Sequence, residues 1–139
     1  MHNYRKKIMN YKPRILIAED EKIIAIDIKM TLTRFGYEVI AIVKNALEAI
    51  QKAEECKPDL ILMDIMLGGY LDGIEAAKII SFRHNIPIIY LTALTDENTL
   101  LRANVKEPYQ FLTKPFKEDE LNHAIEKTLS RIKAEKDQS

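Results

Sequence analysis

The chain has a single cysteine, Cys56, which excludes an internal disulfide framework and a multi-cysteine metal site. Its plain reading is a small filler late in a helix, and the lack of a partner suits a reducing compartment. An excess of charge of either sign is also missing. Lys plus Arg total 21 and Asp plus Glu total 21, so composition gives no general pull toward nucleic acid or an anionic membrane. No direct nucleic-acid binding is expected, and any partner is recognised locally. No apolar run approaches the roughly 20 residues of a bilayer-spanning helix. The opening MHNYRKKIMNYKP is basic but has no apolar core of the signal-peptide kind. These absences predict a soluble cytoplasmic protein without membrane insertion. Internal repeats and low-complexity segments are lacking too, and 139 residues, 47% of them hydrophobic, fit one compact domain with a real core.

What is present is a recurrence of short apolar runs rich in β-branched residues: RILIA (14–18), YEVIAIV (37–43), DLILM (59–63), PIIYL (87–91) and, more weakly, YQFLT (109–113). Most are near-continuously apolar, as expected of parallel strands covered on both faces. Helical spacing fills the intervals. Ile24, Ile28, Leu32 and Phe35 share one stripe, with Gly36 placed for a left-handed C-terminal cap. Ala46, Ile50 and Ala53 form a second stripe that must stop before Pro58. Ile74, Ala77 and Ile80 form a third, with Asp72 placed to cap its first turn. DENTLLRANVKE has a thin apolar face and helix-weakening Asn and Thr, which predicts the least stable helix. Leu121, Ile125, Leu129 and Ile132 mark a long last helix that runs toward a polar tail. The expected organisation is an N-terminal extension over 1–12, one domain over 13–133 and a polar tail over 134–139. Five strand-helix units point to a doubly wound five-stranded parallel α/β sheet.

In such sheets ligands bind at the C-terminal ends of the strands. That edge collects Glu19, Asp20 and Glu21 after the first strand, Asp64 after the third, Thr92 after the fourth and Lys114-Pro115 after the fifth. Clustered carboxylates raise one another's pKa unless a cation sits among them, and a hard divalent ion such as Mg²⁺ takes oxygen ligands of this kind. Lys114 is out of place in a pure metal site but fits as a partner of Asp64 or of an anion delivered there. Thr92 supplies a hydroxyl for the same anion. Asp64 then reads as a carboxylate nucleophile that accepts a phosphoryl group.

ILIAEDE, LILMD, PIIYLTA and FLTKPF, in this order and spacing, resemble the strand-end motifs of the CheY-like receiver domain of response regulators in two-component signal transduction. The resemblance covers roughly residues 13–133. It implies the flavodoxin-like (βα)5 fold with strand order 2-1-3-4-5. It makes Asp64 the phosphorylation site, fed by a sensor histidine kinase. Asp20 becomes a direct Mg²⁺ ligand, Glu19 a ligand largely through water, and the backbone carbonyl of Met66 a further ligand beside Asp64. Thr92 and Lys114 would bind the phosphoryl group, Phe111 would be the switch aromatic, and Pro115 would follow a cis peptide. The output would pass to a downstream protein through the surface of the fourth helix, fifth strand and fifth helix, with homodimerisation on phosphorylation as a further option. Such a protein is no enzyme beyond catalysing its own phosphorylation and dephosphorylation. One departure stands out: Asp64 and Asp72-Gly73 are separated by one residue more than the commonest family spacing. Leu67-Gly68 also replaces the usual turn.

Plainer roles compete for each residue. Glu19, Asp20 and Glu21 could be first-turn helix charges, worth a few tenths of a kcal/mol up to about 1; with Asp64 and Lys114 opposite, that reading recedes. Asp64 could end a strand in a turn, Phe111 could be core, and Gly68-Gly69 could simply allow a tight turn. His2, His84 and His123 lie on separate segments and are expected at the surface. Three other functions share parts of the pattern. A haloacid-dehalogenase-like Mg²⁺-dependent phosphatase needs a second Asp where Met66 stands. An FMN carrier needs a phosphate loop where three acids stand. A phosphorylation-independent pseudo-receiver would not need Asp64, Thr92 and Lys114 intact.

Overall fold

The computed structural model describes residues 11–93, 97–105 and 110–138. Five strands, β1 (Arg14–Ala18), β2 (Glu38–Val43), β3 (Leu60–Asp64), β4 (Ile88–Thr92) and β5 (Phe111–Thr113), form one sheet in the order β2-β1-β3-β4-β5. Every pairing is parallel. The connecting helices are α1 (Lys22–Arg34), α2 (Ala46–Cys56), α3 (Gly73–His84), α4 (Glu97–Ala103) and α5 (Glu118–Gln138). This is the doubly wound architecture that the apolar runs predict. None of the described helices is long and apolar enough to cross a membrane.

Strand alternation divides the core in two. Leu16, Ala18, Ile61 and Met63 face α2 and α3, meeting Ala49, Ala53, Ile74 and Ile80. Ile15, Ile17, Leu60 and Leu62 face the other way, onto Ile28 and Leu32 of α1 and Leu121 and Ile125 of α5. All residues of β3 and β4 are buried. Each buried Ile or Leu contributes about 1.5–3 kcal/mol of transfer free energy, so β3 and β4 are firmly seated in the sheet. Their C-terminal ends are therefore rigid supports for whatever they carry.

Local signals set the helix starts. Asn45 accepts from the Glu48 N–H at the start of α2. Asp72 and Glu75 form a reciprocal capping box at the start of α3, satisfying two backbone donors that a helix start leaves unpaired. Gly36 has φ +90, the left-handed geometry anticipated for it. Phe35 departs from expectation. The helix ends at Arg34, and Phe35 at φ −81, ψ 0 has left the helical stripe, so its ring is 42% exposed. His84 also differs from the surface placement expected of it: its Nε2 is buried with no hydrogen-bond partner among the described residues. His123 is exposed as expected. His2, and Tyr109 of the expected fifth strand, lie outside the described residues. The helix expected to be weakest, α4, spans seven residues.

Candidate functional site

The site begins where β1 and β3 stop. Glu19 follows β1 directly, and its N–H donates to the Val43 carbonyl at 3.0 Å, which continues the sheet by one rung. Asp64 is the last residue of β3, paired with Leu91, and only 3% exposed. The Ile65 N–H donates to the Leu91 carbonyl at 3.0 Å, and the Lys114 N–H to the Thr92 carbonyl at 2.7 Å. Backbone bonds thus tie the ends of all five strands before any side chain acts. The Lys114-Pro115 peptide is cis.

Side chains then converge. Lys114 Nζ lies 2.5 Å from Glu19 Oε1 and 3.1 Å from Asp64 Oδ2. The other Asp64 oxygen accepts from the Met66 N–H at 2.9 Å, and Glu19 Oε2 accepts from the Glu21 N–H at 3.3 Å. Carboxylate oxygens of Glu19, Asp20 and Asp64 all lie within 4.8 Å of one another. Asp20 is exposed while the other two are buried, so the cluster opens to solvent on the Asp20 side. Burial, with the neighbouring Asp64 carboxylate, outweighs the lysine and pushes Glu19 up to about 7. Burial works to lower the Lys114 pKa, but its contacts with Glu19 and Asp64 prevail and raise it. Three carboxylates around one ammonium leave negative charge uncompensated. An all-oxygen donor set with one exposed member fits a hard divalent cation such as Mg²⁺.

The structure thus brings Glu19, Asp20, Asp64 and Lys114 together, and Lys114 reaches Glu19 as well as the expected Asp64. Thr92 is buried at the end of β4, next to β3. Met66 offers its peptide to the site while its side chain is exposed. Phe111 is half-buried, its ring centroid 6.2 Å from that of Tyr90.

Three contributions were not read from the sequence. A Cβ on Gly73 would lie 2.1 Å from the carbonyl oxygen of Asp64, so only glycine lets α3 start this close to the phosphoacceptor candidate. The Asp72-Gly73 pair was the visible signal, but not its reason. Asn45 forms a parallel bridge with Gly68, tying the loop after β3 to the start of α2. Arg102 of α4 bonds Asp72 at 2.7 Å.

Comparison with known proteins gives a consistent result. The model of the response regulator receiver domain matches residues 15–126. The chain is 38% identical over 120 residues to the transcriptional regulatory protein PdtaR of Mycobacterium tuberculosis, covering 86% of this chain and 58% of PdtaR. It therefore spans little more than half of that relative's length. Over 118 residues it is 36% identical to the chemotaxis protein CheY of Bacillus subtilis, covering 84% of this chain and 98% of CheY. Among solved structures, the signal receiver domain of a modulated diguanylate cyclase from Desulfovibrio desulfuricans G20 matches with a TM-score of 0.82 and 37% identity. That match covers 89% of this chain and 98% of the other. With the family model spanning most of the sequence and the sheet order in agreement, the chain belongs to the CheY-like response regulator receiver domain family of two-component signalling.

Proposed function

We propose that this receiver takes a phosphoryl group from the phosphohistidine of a cytoplasmic sensor histidine kinase onto Asp64. An Asp64 oxygen attacks phosphorus, the P–N bond of the donor breaks as the new P–O bond forms, and the histidine nitrogen leaves with its electron pair. Glu19, Asp20, Asp64 and the Met66 carbonyl would hold Mg²⁺, which when bound neutralises charge on the transferring phosphoryl oxygens. The protein's own groups do the rest. The Met66 N–H fixes the rotation of the Asp64 carboxylate, leaving the oxygen now facing Lys114 to be shared with the incoming group. Lys114 stays protonated and balances the added charge, a role its raised pKa supports. Thr92 donates its hydroxyl to a phosphoryl oxygen. Its movement toward that oxygen frees space that Phe111 takes up, remodelling the surface of α4, β5 and α5 for a downstream protein or a second copy of the chain. Beyond its own phosphorylation and dephosphorylation the domain turns over no substrate.

The observation that carries this reading is the ammonium of Lys114 bridging two buried carboxylates, one of them at the end of the central strand. Charges are buried together at such cost only where paired, and such clusters mark functional sites. A pseudo-receiver has no need of that arrangement. A phosphatase of the haloacid-dehalogenase kind lacks its acid, because Met66 occupies the position. Phosphoramidate with Mg²⁺ should add one phosphoryl group to the wild type and none to Asp64→Asn, read by intact mass. Equal labelling of the two removes Asp64 from the role.

A further inference from the structure

The loop after β3 carries two consecutive glycines, Gly68 and Gly69, and it runs to one side of the site. Gly68 pairs with Asn45, which pulls the loop across to the start of α2. Gly69 then turns at φ +104, a conformation glycine adopts without strain. The turn leaves the Tyr70 side chain 99% exposed. Leu47, in the first turn of α2, is 62% exposed. Tyr70 and Leu47 line the same open cleft, about 350 Å³ in volume, and Asp20 lines it too. A lone exposed apolar side chain needs no explanation. Two of them lining one cleft, together with a carboxylate of the acidic cluster, form a surface suited to a partner.

Position determines which partner. Asp64 is buried beneath the mouth that Asp20 opens to solvent, so a donor histidine carried on a protein must be lowered into that mouth. The donor's surface then overlies the residues around Asp20, and the cleft is continuous with them. A small phosphodonor needs only the mouth. Large aromatic side chains at the centre of an interface carry much of its binding energy, and Tyr70 is the only exposed aromatic among the described residues lining this cleft.

We propose that Tyr70 and Leu47 clamp an apolar side chain of the phosphodonor protein, next to its histidine, and so help select the kinase. This rests on the phosphoacceptor reading of Asp64, and the test separates the two. Purified histidine kinases of the source organism, prelabelled with ATP, are ranked by transfer to the wild type. The fastest is then used on Tyr70→Ala, Leu47→Ala, Tyr70→Phe and Phe82→Ala, with phosphoramidate labelling in parallel. Phe82 is 93% exposed on the last turn of α3, at the end remote from the site, and serves as the control. Transfer from the kinase should fall by about tenfold or more for Tyr70→Ala and Leu47→Ala, mainly through KM, and recover in Tyr70→Phe. Phosphoramidate labelling should stay within about twofold of wild type in all four, as expected of exposed substitutions that leave the fold intact. Unchanged kinase transfer, or an equal fall with both donors, overturns the clamp while leaving Asp64 in its role. The clamp also falls if phosphoramidate labels the wild type and no kinase does. If phosphoramidate fails to label Asp64, the phosphoacceptor reading fails and the clamp goes with it.

Discussion

Replacing Gly73 with alanine should damage both the fold and the phosphorylation reaction, against the usual trend for helical glycines. Alanine in a helix is ordinarily favoured over glycine by about 1 kcal/mol. Here the added Cβ would meet three backbone atoms: the Asp64 oxygen at 2.1 Å, the Asp64 carbonyl carbon at 2.9 Å and the Ile65 Cα at 3.0 Å. Real Cβ contacts essentially never fall below 3.0 Å, so the first is short by 0.9 Å. No side chain can swing aside to relieve it. Overpacking costs about 1–3 kcal/mol, and a contact made wholly with backbone belongs at the top of that range. Offset by the propensity gain, the net loss is about 2 kcal/mol, or roughly 6–10 °C in Tm for a domain of this size. The shift falls on the backbone carbonyl of Asp64, the proposed phosphoacceptor. A displacement near 1 Å at a reacting group costs about a hundredfold in rate, so phosphoramidate labelling should slow by about that factor at a temperature where the variant is fully folded. Gly68→Ala is the control, since its Cβ meets nothing within 4 Å, and its stability should stay within about 0.5 kcal/mol of wild type. A Gly73→Ala protein with wild-type Tm and labelling rate would refute the close seating of α3 against β3.

Asp20→Ala should lower Mg²⁺ affinity by at least about tenfold, while relief of carboxylate repulsion keeps Tm in the absence of metal from falling; unchanged Mg²⁺ binding in a calorimetric titration rules out the ligand role. Thr92→Ala should still accept phosphate but lose the change in hydrogen exchange over 97–105 and 110–113 that a beryllofluoride mimic produces in the wild type, because the added group biases the equilibrium only through its differential contacts. If the wild type shows no such change, Phe111 is only a core residue and the output surface lies elsewhere. Partial burial works to raise the Asp72 pKa, but the Glu75 N–H and the Arg102 guanidinium outweigh it and hold the carboxyl below its ordinary value. Its stabilising effect is therefore present above the unfolded-state pKa of about 4 and lost as pH falls through the lower folded-state value. Asp72→Ala should cost about 1 kcal/mol at neutral pH through the lost cap, and the gap between variant and wild type in denaturant titrations should narrow below pH 4; a gap that widens on acidification contradicts the assignment.

The sequence by itself determined what depends on near neighbours in the chain. Continuous apolar runs cannot be stable unless covered on both faces, so RILIA, DLILM and PIIYL read as strands of a covered parallel sheet, with the helical stripes between them as its two outer layers. Asp72 and Asn45 cap helices through backbone groups three residues away, and Gly36 turns through its own φ; such short-range chemistry is written into local sequence. Strand-end position then marked Glu19, Asp20, Asp64, Thr92 and Lys114 as neighbours before any coordinates. Only the tertiary structure decided how they meet. Lys114 is 95 residues from Glu19 along the chain, and its choice of two carboxylates depends on how β5 sits beside β4. The Gly73 contact with Asp64, the Gly68 bridge to Asn45 and the Arg102 tie to Asp72 follow from how close two packed elements come. So do the outward turn of Phe35 and the burial of His84 Nε2. Close packing makes differences of 1 Å matter, and no periodicity in a sequence carries information that fine.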